Sequence, residues 1–88
     1  MGRTELAAIE NGGFGEASGD MFFRLGMMYS TGAEVPTDYV SAHKWFNLAA
    51  MRGVNEAKGW RNQIAEEMNA GQIAQAQKLA REWLNIFK

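Results

Sequence analysis

Apolar positions recur at helical spacing along the whole chain, and no run alternates apolar and polar residues as a half-buried strand does. Thr4 to Asn11 reads as a short first helix with Leu6 and Ile9 on one side, stopped by Gly12-Gly13 and followed by a loose stretch around Gly15. A second helix starts at Ser18, whose hydroxyl suits the free amides of a first turn, with Asp20 near that positive end. Met21, Leu25 and Met28 give it an apolar face with Tyr29 alongside, and it stops near Gly32. The stretch from Thr31 to Asp38 is a loop, because Pro36 lacks an amide donor and disfavours helix at Val35.

Asp38 caps a third helix with Ala42, Trp45, Phe46 and Ala49 in one stripe, and Gly53 suits a left-handed end. Asn55 opens a fourth, carrying Ala57, Trp60, Ile64, Ala65 and Met68. Gly59 inside it costs about 1 kcal/mol relative to Ala, which implies close packing there. Asn69 caps the last helix, whose seam is Ile73, Ala76, Leu79, Ala80, Trp83 and Phe87. Short loops make sequential helices antiparallel neighbours. The expected fold is therefore all-α: antiparallel helix hairpins, about five helices, no sheet.

The tract Leu6-Ala7-Ala8-Ile9-Glu10-Asn11-Gly12 recurs loosely as Leu48-Ala49-Ala50-Met51-Arg52-Gly53. From Leu25 to Ala57 the chain carries Leu25-Gly26, Tyr29, Gly32, Val35-Pro36, Asp38, Ala42, Lys44-Trp45-Phe46, Ala49-Ala50, Gly53 and Ala57. In order and spacing these resemble the Sel-one-like repeat (SLR) family, relatives of the tetratricopeptide repeat. The resemblance covers one full repeat at about 18–53, within a single domain spanning 1–88. Residues 4–12 look like the tail of a preceding repeat, 55–68 like the first helix of a following one, and 70–87 like a C-terminal capping helix. It implies a short α-solenoid in which Gly26 allows close helix approach, Leu25 and Tyr29 supply the buried face, and Trp45 interdigitates with Ala49-Ala50.

The chain departs from the family pattern at four places, the insertion Gly12 to Glu16 at the front being one. Glu34 stands where the loop usually has a second Gly, which implies a different backbone path. Met21 replaces a small residue, and Arg61-Asn62 replaces the next Leu-Gly. Repeat units need about three stacked neighbours for stability, so one complete unit with partial units around it relies on the last helix as a cap.

Composition narrows the chemistry. With 88 residues, 47% hydrophobic and three Trp, the chain is globular rather than disordered. No Cys and a single His exclude disulfides, thiolate zinc sites and His-rich metal sites. The net charge of −1 argues against a polyanion binder. Residues 1–43 nevertheless carry six acids against two bases, and residues 44–88 four acids against seven bases. No run nears the roughly 18 apolar residues of a membrane helix. Met1 to Leu6 holds no apolar core of signal-peptide length. The expectation is a soluble, cytoplasmic chain away from membranes, periplasmic or secreted if it was cut from a longer precursor.

No catalytic constellation survives the spacing test. His43 has no second His or Cys and reads as a helix-rim residue. Glu66 and Glu67 point about 100° apart on one helix and do not converge. Gly12-Gly13-Phe14-Gly15 lacks the strand before and the Lys-Ser/Thr after of a phosphate loop. Arg52, Lys58, Arg61, Lys78 and Arg81 near Trp60 form a candidate nucleic-acid face, spread over different helices.

Met21, Phe22, Phe23, Leu25, Met27 and Met28 surround too much of one helix for a single neighbour to cover. In tetratricopeptide-like proteins the first helix of each pair lines the ligand-binding face. The resemblance therefore implies a partner patch at Phe22, Phe23, Arg24 and Met27. The expected function is a non-enzymatic, cofactor-free protein–protein interaction module, an adaptor or a regulator that occludes a partner's surface. The partner is a protein or peptide. Self-association as a homo-oligomer is the alternative, and nucleic-acid binding by the basic half ranks third.

Overall fold

The structure, a computed structural model, describes residues 18–87. Among them the chain forms four helices and no strand: α1 Gly19–Thr31, α2 Tyr39–Met51, α3 Glu56–Ala65 and α4 Ala70–Phe87. The helix expected from Thr4 to Asn11, and with it the partial repeat at 4–12, lies outside the described residues.

The local signals explain most boundaries. Ser18 Oγ accepts from the Met21 amide at 3.2 Å, and Gly32 closes α1 with its own amide on the Met28 carbonyl. Asp38 caps α2 with both carboxylate oxygens, one taking the Ser41 amide at 3.2 Å and the other the Ser41 hydroxyl at 2.9 Å. The Asp38 amide in turn donates to the Tyr29 carbonyl, which ties the loop to the end of α1. At the end of α2, Gly53 has φ +93°, donates to the Ala50 carbonyl, and leaves Val54 donating to the Ala49 carbonyl. That pair of reversed bonds is a Schellman motif, and its left-handed residue favours Gly.

Several boundaries differ from the sequence reading. Asn55 is already helical (φ −61°, ψ −36°) and its side chain makes no cap bond. The Schellman turn feeds the chain straight into α3, with Ala57 donating to Val54 and Lys58 to Asn55. Helix α3 ends at Ala65 rather than Met68, because residues 66–68 tighten to bonds three residues back. Asn69 and Gln72 then start α4 with a reciprocal pair of bonds: the Gln72 amide to Asn69 Oδ1 at 2.8 Å and the Asn69 amide to Gln72 Oε1 at 2.9 Å. Glu34 adopts φ +72°, so this turn enters the left-handed region that a glycine would occupy.

Helix α2 is the hub and packs against α1, α3 and α4. Gly19 at the start of α1 sits against Arg52 and Val54 beyond the end of α2, so the first hairpin is antiparallel. Helix α4 makes its main contact with α2 rather than with α3, its neighbour in sequence. The expectation of antiparallel packing between sequential helices therefore fails at the last pair. The reason is aromatic: Phe22 of α1 stacks on Trp45 of α2 at 5.7 Å, and Trp83 of α4 meets Phe22 edge-on at 5.1 Å and Trp45 at 6.0 Å. Each such pair contributes about 0.5–1.5 kcal/mol beyond the area it buries. Ala42 and Ala49 on α2 and Ala76 and Ala80 on α4 are buried with these rings and complete the core.

Candidate partner-binding surfaces

Phe22 leaves the expected partner patch. It is fully buried between Trp45 and Trp83, with the Arg52 guanidinium 5.8 Å from its ring, and offers no surface. The apolar face of α1 is wide because it meets two helices, α2 and the Trp83 region of α4. The other three patch residues lie round the flank. Phe23 is half-buried against the Phe46 ring at 5.7 Å, Met27 is half-buried one turn further on, and Arg24 beside them is exposed. The structure thus brings Phe23, Arg24 and Met27 to one side of α1.

The repeat-signature residues build the hairpin beneath. Leu25, Ala42, Trp45 and Ala49 are fully buried, while Tyr29 and Ala50 are half-buried against that core. Gly26 is buried where a Cβ would stand 2.5 Å from the Phe46 ring. Its small size thus admits an aromatic side chain of α2.

His43 is not a rim residue: it is only 4% exposed. Its burial follows from the position of α2, which is covered on three sides and leaves little free circumference. No hydrogen-bond partner reaches His43 Nδ1 among the described residues. Burial, and secondarily the positive charge of Arg61, push the imidazole below its usual pKa, against an opposing backbone hydrogen bond. A neutral ring is therefore favoured.

Arg61 is half-buried on the α2–α3 seam, where Nη1 donates to Asn47 Oδ1 at 2.9 Å and Nη2 to Asn62 Oδ1 at 3.5 Å. Asn47 lies four residues after His43, on the same side of α2. The sequence reading missed this His43–Asn47–Arg61 group. Its only advance sign was Arg61-Asn62 standing where the family has Leu-Gly.

Trp60 is 38% exposed rather than part of the buried face of α3, which consists of Ala57 and Ile64. Gly59 beside it is exposed, and a Cβ there would meet nothing within 4 Å, so close packing is not the reason for it. Met51 and Ile86 are the other large apolar side chains left open. Arg52, Lys58, Lys78 and Arg81 are exposed on three separate elements. No group of three metal-ligating side chains occurs among the described residues, and no described helix is long and apolar enough to cross a membrane.

Residues 23–54 match the Sel1 repeat family model, a span that takes in most of α1, the loop, α2 and the Schellman turn. The α1–α2 hairpin is thus similar to a Sel1-like repeat. Repeats of this family typically mediate protein–protein contacts. No curated protein and no solved structure matches the chain.

Proposed function

We propose that this chain is a non-enzymatic protein-interaction module that holds a protein or peptide partner against the outer flank of α1, with Phe23 and Met27 as apolar anchors and Arg24 orienting the partner. The observation that carries this reading is the coincidence of the repeat match with the α1–α2 hairpin, whose first helix keeps Phe23, Arg24 and Met27 out of the fully buried core. Apolar anchors supply affinity, while a charge at the edge sets on-rate and orientation.

The test is differential capture from the native host. Wild type and an Arg24→Glu/Met27→Ser double variant of matched folding are immobilised side by side. A protein retained by the first and lost from the second is the expected result. Identical retained sets would overturn the reading. Exposed Met51, Trp60 and Ile86 favour self-association as the second reading; a mass that rises with concentration in light scattering would support it.

A further inference from the structure

Helix α3 places Lys58 and Arg61 three residues apart, so the two cations share one flank. The positions three and four residues away on either side of both hold no Asp or Glu. A helix that juxtaposes two like charges without acids at these spacings forgoes the usual local neutralisation. Arg61 is also partly withdrawn from water, where an unneutralised charge is costly. Its bonded partners are the uncharged amides of Asn47 and Asn62, and no carboxylate pairs with it among the described residues. Across the seam stands His43, buried and without a partner at Nδ1. The guanidinium carries five donors in a planar fork, and two bonds to amides leave donors over.

We propose that the α2–α3 seam receives an acidic side chain of a partner protein, the Arg61 guanidinium binding its carboxylate and Lys58 adding charge at the rim. Asn47 holds the guanidinium at the seam and acts as a positioning residue. A carboxylate fits better than the phosphates of a nucleic acid. The fork matches a planar pair of oxygens, and a net charge of −1 weighs against a polyanion. The proposal rests on the reading of the chain as a protein-interaction module. It uses residues apart from the α1 flank, so its failure would leave the capture experiment above standing.

The test is a nuclear magnetic resonance titration of the whole chain with a blocked peptide of Glu and Ala residues, and with its Gln counterpart. The Glu peptide is expected to saturate and to shift the Arg61 side-chain Nε–H signal, the Gln peptide binding at least tenfold more weakly. Arg61→Gln should reduce affinity at least tenfold, Arg61→Lys should retain part of it, and Lys78→Gln on α4 should stay within twofold of wild type. If Arg61→Gln fails to fold, exposed Lys58→Gln takes its place, with a loss of about threefold or more. Equal binding of both peptides would overturn the proposal, as would equal effects of the Arg61 and Lys78 changes. A short oligonucleotide that binds the same residues more tightly than the Glu peptide would overturn it in favour of phosphate. A dimer that Arg61→Gln dissociates would overturn it in favour of a second copy.

Discussion

Gly26 of α1 lies flat against the ring of Phe46 on α2, so close that a Cβ on the glycine would come within 2.5–2.9 Å of three ring carbons. Phe46 is itself fully buried, so its ring must shift within the core to make room. Gly26→Ala should therefore destabilise the chain by about 1–3 kcal/mol, the usual cost of overfilling a packed core. Urea denaturation measures this. The companion Gly26→Ala/Phe46→Leu should recover part of the loss, because the two residues are in contact and their effects do not add.

The three-ring cluster separates core from surface. Phe22→Ala removes a ring that touches both Trp45 and Trp83 and should cost about 3–5 kcal/mol. Arg24→Ala, two residues along on the exposed side, should stay within about 0.5 kcal/mol. Thermal melting of the pair checks both, and similar losses would place Arg24 in the core.

Two substitutions should stabilise. Gly59→Ala adds a methyl group in open space on a helix and should raise stability by about 0.5–1 kcal/mol. Glu34→Gly should relieve the cost of φ +72° for a residue bearing a Cβ, roughly 1–2 kcal/mol, less the entropy glycine loses on folding. Denaturation midpoints of the single variants and the double should show near-additive gains, since the sites lie on α3 and in the α1–α2 loop.

His43 sets a pH dependence of definite sign. Its folded pKa lies below the unfolded value of 6.5, so the unfolded chain binds the proton first as the pH falls. Stability is then fully present above about pH 6.5 and is lost as the pH falls from there towards the folded pKa. Urea midpoints measured from pH 7.5 to 5.5 should decline, and His43→Phe should flatten that decline. An unchanged slope in the variant would contradict the assignment.

The parts of the fold set by local chemistry were legible in the sequence. Ser18 and Asp38 cap where a short polar side chain precedes an apolar stripe, and Gly53 ends α2 because a left-handed residue was needed. What escaped was anything decided by how many neighbours a helix has. Periodicity marks an apolar face but not its breadth of cover. The sequence places Phe22 on a surface that Trp83 closes, and His43 on a rim although it is buried. Trp60 erred in the opposite direction, lying on the helical face whose neighbours cover Ala57 and Ile64 but not the indole. The Arg61–Asn47 bond joins residues on consecutive helices, and no spacing rule within one helix announces it.

The most direct measurement is amide hydrogen exchange of the chain alone and with the partner recovered by differential capture. The expected result is slowed exchange concentrated in α1 from Phe23 to Met27, with α4 unchanged. Slowing confined to α4, or to the open side chains Met51 and Ile86 and their neighbours, would contradict the assignment of the α1 flank as the binding surface.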